Sequence, residues 1–324
     1  MLCRASAPCP SPTYKHLTDG KYLQLPNRSS PLNALSPKRF RMPSIYTLNH
    51  GDADRERQRL DLQHDVFKNI TRGDLPPVIW QHLKSISAPK VADANTGTGI
   101  FLKELAATVT EEAQLDGFDI DTRKFHETAS LPANVKLQYG NVLEPFPKQY
   151  LGIYDLVHVK LLYAALKKDE WLQAVKNLKT LLKPDGYLFW SEIGAYGYAS
   201  NPYSAALHEW KRIESAAAVK FGRDPKCPVL LQSQFREAGL QQVDEKVFVM
   251  LGRPELTPVI TRVALEYMAQ SLSGIVLVDQ DETLGLTESG IKSLVETLTK
   301  ETEDGVEVGT NLHWVWGQND GMSC

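Results

Sequence analysis

VADANTGTGIF, residues Val91–Phe101, is the stretch that decides the fold of this 324-residue chain. The apolar residues before Asp93 end a short run that is typical of a buried parallel strand. Gly97 and Gly99 then form a tight loop of small residues, and Ile100–Val109 is predicted to be a helix. A strand, a glycine loop and a helix start in this order bring a ligand against bare backbone and a helix N-terminus.

The position of Asp93 distinguishes between the ligands that such a loop can hold. Asn95 stands where the first glycine of a dinucleotide-binding loop would be, so the three-glycine pattern is incomplete. The Asp93 carboxylate would repel a pyrophosphate, whereas it would attract a ligand that carries an amino group and a sulfonium. S-adenosylmethionine is such a ligand. No Gly-Lys-Ser or Gly-Lys-Thr follows, which excludes a P-loop phosphate site.

A second acid lies in the next predicted strand, Leu115–Asp121. Asp119 comes 20 positions after Gly99, where a carboxylate can bind both hydroxyls of a ribose. Because NAD-binding folds share this acid, Asp119 indicates an adenosine without choosing the cofactor. The alternative is that its carboxylate only caps the helix that follows.

Five segments follow one another along the chain: VADANTGTGIF, DGFDID, GNVLEPFP at Gly140–Pro147, YDLVHVKLL at Tyr154–Leu162 and LLKPDGYLFWSE at Leu181–Glu192. Together they resemble the motif series of class I S-adenosylmethionine-dependent methyltransferases. From about Tyr46 onward the chain resembles the fungal secondary-metabolite branch, which includes gliotoxin-type N-methyltransferases and relatives of the LaeA regulator. The resemblance implies a Rossmann-like α/β fold: a seven-stranded sheet with helices on both faces, an antiparallel last strand, an N-terminal helical lid and inserted helices after strand 5.

The resemblance also implies a site for S-adenosyl-L-methionine and assigns roles within it. Asp93 would anchor the amino-acid portion, Asp119 the ribose and Asn141 the adenine, although the family has an acid where Asn141 stands and this residue can also simply close a turn. Lys160 would hold the cofactor carboxylate or line the pocket. The cofactor-binding residues expected on these grounds are Asp93, Asn95, Gly97, Gly99, Asp119, Ile120, Asn141, Val142 and Lys160, and no metal site is expected.

Three residues are candidates for a general base. His158 interrupts the apolar strand Tyr154–Val159 near its carboxyl end, and that end faces the ligand crevice in open α/β sheets. A histidine satisfied within the core is an equally good interpretation. Glu192 ends the fifth predicted strand, and His208 lies on the predicted helix Ser204–Phe221. A phenol or amide acceptor must lose a proton, which one of these side chains could accept.

Aromatic residues near these candidates predict the acceptor pocket. The glycine-containing connection Gly194–Pro202 carries Tyr196 and Tyr198, and long connections in compact domains are usually functional. The alternative is that this segment is a polar insertion that only covers the edge of the sheet. Tyr267, on the predicted helix Thr257–Leu272, would form a pocket wall or a dimer face. If the helix after Tyr46 forms a lid over the cofactor, the residues expected near the ligand are Tyr46, Arg59, Gln63 or His64. A docking helix with a solvated charged face is an equally good interpretation of this segment.

Composition restricts the partners and the compartment. The net charge of −3 gives no reason to expect nucleic acid as a ligand. The four cysteines show no zinc-binding spacing, so a reducing, cytoplasmic compartment is expected. No apolar run is long enough to span a membrane.

Two regions of different composition indicate the domain organisation. Residues 1–41 are rich in Pro and Ser, lack apolar periodicity and are predicted to be a disordered tail, a targeting segment or an extension of the gene model. Residues 42–324 are predicted to form one methyltransferase domain, with a helical cap at about 46–86 and a Rossmann-like core at about 88–324.

The function expected from these observations is methyl transfer from S-adenosylmethionine to oxygen or nitrogen of a small natural product, by a monomer or a homodimer. A regulator of the LaeA type, which acts through protein partners, is the first alternative. An NAD-dependent oxidoreductase and an inactive methyltransferase-like domain are the others. An aromatic pocket would favour the enzyme, and a shallow polar surface would favour the regulator.

Overall fold

The computed structural model describes residues 53–279 and 282–321. The predicted tail and Tyr46 lie outside these residues. The helices of the described part are α1 (Ala53–Thr71), α2 (Pro77–Lys84), α3 (Ile100–Ala106), α4 (Trp171–Lys179), α5 (Ala205–Lys220), α6 (Leu231–Glu237), α7 (Thr257–Val278) and α8 (Glu288–Glu303). None of these helices is long and apolar enough to cross a membrane.

The strands of the described part form one large sheet and one small one. They are β1 (Lys90–Ala94), β2 (Gln114–Asp119), β3 (Val135–Tyr139), β4 (Tyr154–Lys160), β5 (Leu182–Glu192), β6 (Ala199–Asn201), β7 (Gln241–Val249), β8 (Glu307–Gly309) and β9 (Asn311–Gln318). Seven of them form a sheet in the order β3-β2-β1-β4-β5-β9-β7, and β6 pairs with β8. The first five strands are parallel, and β9 is antiparallel to both of its neighbours. The predicted seven-stranded sheet with an antiparallel last strand is therefore confirmed.

The central strands are buried on both faces. All residues of β4 except Lys160 are buried, and all of β1 except Lys90. Because successive side chains point to opposite faces, such strands must be covered by helices on both sides. Trp171 of α4 stacks on Trp190 of β5 with ring centroids 5.3 Å apart, which fixes one of these helices against the sheet.

The chain order reverses between β1 and β4. From β1 the chain continues to β2 and β3 on one side, and it then returns to β4 on the other side. In open α/β sheets a crevice forms at such a switch point, outside the carboxyl ends of the strands. The residues that follow β1, β2 and β4 therefore meet at one place.

Several boundaries differ from the predicted ones for local reasons. The sequence pattern predicts a third strand at Val135–Val142, but β3 ends at Tyr139, because Asn141 turns the chain. The fifth strand is predicted at Tyr187–Glu192, but β5 begins at Leu182 and pairs with β4 through an irregularity next to Tyr154. The predicted helix after strand 5 is confirmed as α5. Ser204 caps its N-terminus, because Ser204 Oγ accepts from Leu207 N at 2.8 Å.

Candidate active site

A cavity lies at the carboxyl ends of β1, β2 and β4, under α1. It holds about 880 Å³ of space, part of which is open to solvent. The lining combines the glycine loop, the ends of the three strands and one face of α1. The sequence-predicted site residues in its lining are Asp93, Asn95, Gly97, Asp119, His158, Lys160 and Glu192, and the predicted lid residues in it are Arg59, Gln63 and His64.

Asp93 ends β1 as a buried carboxylate with two side-chain partners. Thr96 Oγ1 donates to its Oδ2 at 2.7 Å, and His158 Nδ1 lies 2.7 Å from its Oδ1. Because an ionised carboxylate only accepts, the His158 proton in this contact is on Nδ1 and its Nε2 is left as the acceptor. The imidazole packs between Phe101, at 4.0 Å between centroids, and Phe189, at 5.3 Å. The ring orientation of His158 is thus fixed by both a carboxylate and two aromatic rings.

Asp119 ends β2 and holds the glycine loop through backbone donors. Gly97 N donates to its Oδ2 at 2.8 Å, and Asp121 N donates to its Oδ1 at 2.9 Å. Burial raises the pKa of Asp119, and the charge of Lys124, which also lines the cavity, opposes this change. Each carboxylate oxygen has a second lone pair, so Asp119 can still accept from ligand hydroxyls.

The glycine loop takes a conformation that most side chains would not tolerate. Gly97 and Gly99 have φ angles of +61° and +88°, and a Cβ on Gly99 would lie 2.6 Å from Leu137 Cδ1. Asn95 has φ +72°, a conformation that asparagine tolerates better than most residues. Its Nδ2 donates to Lys160 O at 2.8 Å, which ties the loop to the end of β4. The asparagine therefore replaces the expected glycine without disturbing the loop.

Lys160 ends β4 with its ammonium inside the protein. Its Nζ lies 3.4 Å from His64 Nδ1 and 5.0 Å from the centroid of the Phe67 ring. Desolvation lowers the pKa of Lys160 to about 8, although Asp74, Asp93 and other acids nearby oppose the effect. A buried ammonium and the Asp93 carboxylate therefore stand at the ends of adjacent strands.

Glu192 ends β5 as a fully buried carboxylate with several donors around it. Leu162 N and Trp190 Nε1 donate to its Oε2 at 2.7 and 3.0 Å, and Ile193 N donates to its Oε1 at 3.0 Å. Burial raises the pKa of Glu192 to about 7 in spite of these hydrogen bonds. Through these hydrogen bonds Glu192 connects the segment after β4 to the segment after β5.

Residues 55–244 match the family model described as "Methyltransferase domain", which is more than half of the chain. This chain belongs to the methyltransferase domain family. Its seven-stranded mixed sheet is the one expected for a class I methyltransferase, and membership excludes the NAD-dependent oxidoreductase considered above.

Curated relatives of this methyltransferase include enzymes and a regulator. Methyltransferase grgD of Penicillium sp is 33% identical over 66% of this chain and 75% of its own length. N-methyltransferase tcpN of Claviceps purpurea is 32% identical over 59% of this chain and 68% of its own length. The secondary metabolism regulator LAE1 of Hypocrea atroviridis is 27% identical over 53% of this chain and 48% of its own length.

Five of the residues expected in the site of this methyltransferase are absent from the cavity lining. Gly99 immediately precedes α3 and faces Leu137, and Ile120 is 49% exposed. Asn141 forms the turn that was the alternative interpretation: its Oδ1 accepts from Leu143 N at 3.0 Å. Val142 is buried beside it.

His208 differs from the expectation most clearly among these residues. It lies on the exposed face of α5, outside the cavity lining, and its ring contacts that of Tyr203 at 6.3 Å between centroids. A base must reach the proton that it removes, so this position does not support a catalytic role for His208.

The aromatic connection after β5 was expected to line the cavity, but neither Tyr196 nor Tyr198 is in the lining. Tyr196 is exposed, and Lys211 Nζ donates to its backbone oxygen at 3.1 Å, which holds the segment against α5. Tyr198 is buried and stacks on Tyr267 with centroids 5.9 Å apart. Tyr267 itself lies in the lining, which agrees with the pocket-wall interpretation of this residue. Tyr198 therefore supports the wall from behind.

Sequence reasoning did not identify several lining residues that only the fold brings close. They are Thr96, Thr98, Ile100, Lys124, Leu161, Ala164 and Ile193. Most of them follow β1, β4 or β5 within a few residues. Their position after the carboxyl end of a predicted strand could therefore have indicated that they lie near the ligand. Lys124 lacks that signal, because it follows β2 by five residues and returns to Asp119 through a turn.

Three side chains near the cavity have the chemistry of metal ligands. Ligand atoms of His64, Asp74 and Glu104 lie within 4.8 Å of one another. Lys68 Nζ lies 3.2 Å from Asp74 Oδ2 and also contacts Glu104 Oε2. The Lys68 ammonium thus pairs with both carboxylates, and we interpret the group as an ion-pair network.

We expect Glu192 to make the stability of this methyltransferase dependent on pH. A carboxyl whose pKa rises from 4.5 in the unfolded chain to about 7 stabilises the fold at low pH, and this contribution is lost as the pH rises through about 7. Urea unfolding at pH 5 and pH 7.5 should show that wild type loses about 2 kcal/mol more than Glu192→Gln over this interval. Equal losses in the two proteins would contradict the prediction.

Proposed function

We propose that this methyltransferase transfers a methyl group from S-adenosyl-L-methionine to nitrogen or oxygen of a small, largely apolar natural product. The observation that carries the proposal is the charge pattern of the cavity. Asp119 lies toward one side of the cavity, at β2, and Asp93 and Lys160 lie at the carboxyl ends of the next two strands of the sheet, β1 and β4.

This pattern fits the functional groups of the cofactor. A carboxylate and an ammonium side by side are complementary to the zwitterion of an α-amino acid, since each can pair with the opposite charge. Asp119 can accept from two ribose hydroxyls. We assign the adenine to the neighbourhood of Ile120, Asn141 and Val142, which follow β2 and β3 on the same side as Asp119.

The rest of the cavity suits an apolar acceptor. Leu161, Tyr163, Ala164, Ile193 and Tyr267 line it beyond the charged residues. Burial raises the pKa values of Tyr163 and Tyr267 well above the ordinary value, so both phenols stay neutral. Such a surface binds small molecules through apolar contact and orients them through a few polar groups.

His158 is our candidate for the general base. The bound cofactor supplies a methyl group on a sulfonium, which is already a strong electrophile, so the protein must chiefly orient the acceptor, exclude water and remove a proton. Asp93 fixes the ring of His158 with Nδ1 protonated, and this leaves Nε2 able to accept. We assign Glu192 to positioning, because its oxygens already accept from backbone and indole donors.

A regulatory function is the second candidate, and its only support is the similarity of this chain to the regulator LAE1. A regulator that acts through partners would not need a cavity lined by buried acids and phenols. The shape and the lining of the cavity therefore favour the enzyme.

Calorimetric titration with S-adenosylmethionine and S-adenosylhomocysteine tests the proposal first. We expect micromolar binding to wild type and at least tenfold weaker binding to Asp93→Ala, because a charge-assisted contact contributes about 1.5–3 kcal/mol. Transfer of a deuterated methyl group to a panel of phenols, amides and amines, followed by mass spectrometry, then tests the reaction. A folded wild-type protein that binds neither ligand would refute the proposed function.

A further inference from the structure

His64 connects α1 to Lys160, which lines the cavity at the end of β4. It lies on α1, is buried, and uses both ring nitrogens: Nδ1 lies 3.4 Å from Lys160 Nζ, and Nε2 lies 3.1 Å from Glu104 Oε2. An ammonium only donates, so in a hydrogen bond between these two groups Nδ1 accepts, which places the ring proton on Nε2, toward Glu104. The ring thus connects the Lys160 ammonium to an acid that is partly exposed to solvent.

Two effects act in opposite directions on the charge of Lys160: desolvation disfavours the ammonium, and nearby acids favour it. Lys160 is half-buried at the end of β4, and desolvation of an ammonium is costly unless it is paired. The acids that favour its charged form lie on separate elements: Asp65 on α1, Asp74 after α1, Asp93 on β1 and Glu104 on α3. The other titratable groups around it are His64, His158 and Lys68. Among these groups, His64 is in direct hydrogen-bonding distance of the ammonium.

We propose that His64 is a positioning residue that keeps the Lys160 ammonium charged and directed at the carboxylate of an amino-acid ligand. The inference rests on the proposed function and adds a residue and a pH dependence to it. Affinity for a ligand with an amino-acid portion falls when Lys160 loses its proton, whereas affinity for the adenosine portion alone does not change. Removing His64 moves this loss of affinity to lower pH.

The direction of the pH effect follows from linkage. A ligand carboxylate binds the charged form of Lys160, so affinity is highest below the pKa of the free protein and declines above it. With that pKa at about 8, the decline between pH 7 and pH 9 is about tenfold. The amino group of the ligand also titrates in this range, so wild type must be compared with Lys160→Met, in which only the ligand contributes.

Two commercially available ligands separate the two halves of the site. S-adenosylhomocysteine carries the amino-acid portion, and 5′-methylthioadenosine lacks it. Calorimetric titrations of both, at pH 7, 8 and 9, are made with wild type, Lys160→Met, His64→Leu and His64→Gln. Circular dichroism at each pH verifies that every variant is folded.

We expect Lys160→Met to bind S-adenosylhomocysteine at least tenfold more weakly at pH 7, to lack the additional tenfold decline toward pH 9, and to bind 5′-methylthioadenosine within threefold of wild type. His64→Leu should shift the midpoint of the decline to lower pH by about one unit. Glutamine can accept from Lys160 and donate to Glu104, so His64→Gln should restore the wild-type midpoint.

Three outcomes would overturn the inference. The first is an equal loss of affinity for both ligands in Lys160→Met. The second is a wild-type affinity that declines no more steeply with pH than that of Lys160→Met. The third is a wild-type midpoint in His64→Leu. These results differ from a failure of the proposed function, in which folded wild type binds neither ligand at any pH.

Discussion

An Asp119→Ala variant is expected to lose at least about 100-fold in affinity for S-adenosylhomocysteine. Two hydroxyl donors to one carboxylate contribute about 1.5–3 kcal/mol each. The same carboxylate accepts from Gly97 N at 2.8 Å, so its removal also releases the glycine loop. Calorimetric titration at pH 7 measures the loss.

Asp116 offers a matched control for this variant. It is a buried acid of the same strand, β2, but it lies outside the cavity lining and accepts from Tyr154 Oη at 2.8 Å. Asp116→Asn should therefore keep the affinity within threefold of wild type. If Asp119→Ala also binds within threefold of wild type while remaining folded, our assignment of the ribose to Asp119 is wrong.

A His158→Ala variant is expected to lose about 100-fold or more in kcat with the acceptor that the screen identifies. Proton removal by a positioned base contributes about this much, and alanine cannot accept the proton. The loss of the imidazole leaves Asp93 with Thr96 as a partner, so the carboxylate stays in place. Affinity for S-adenosylhomocysteine should consequently stay within about threefold of wild type.

His208→Ala is the control histidine for this experiment. The His208 side chain is exposed on α5 and lies outside the cavity lining, so its removal should change neither kcat nor cofactor affinity by more than twofold. A His158→Ala enzyme that turns over within a few-fold of wild type would show that His158 is not the base. A moderate loss in kcat together with a weaker cofactor affinity would instead show that His158 acts mainly by holding Asp93 in place.

The two variants together separate binding from chemistry. Asp119 lies at the β2 end of the cavity, whereas His158 lies beside the buried charges at β1 and β4. A protein that binds the cofactor through Asp119 but loses nothing on His158 replacement would perform the reaction with another base or by orientation alone.

The elements that could be predicted best from the sequence are those with strong local patterns. The apolar runs that became β1, β2 and β4, the glycine loop and the acids after the strands follow from rules that act over a few residues. Asp93, Asp119, His158 and Lys160 could be placed in one site because carboxyl ends of parallel strands meet at one edge of a sheet. The boundaries of β3 and β5 were less accurate, since a turn at Asn141 and an irregularity near Tyr154 decided them.

The sequence by itself determined the class I methyltransferase sheet and the identity of its charged residues, because backbone preferences and burial patterns are local. Only the tertiary structure decided which side chains share the cavity. It paired His158 with Asp93, joined His64 to Lys160 and brought Tyr267 into the lining, while His208 and Tyr196 face away from it. These contacts join residues far apart in the chain, so they depend on how helices pack against the sheet, and neither spacing nor composition records that packing.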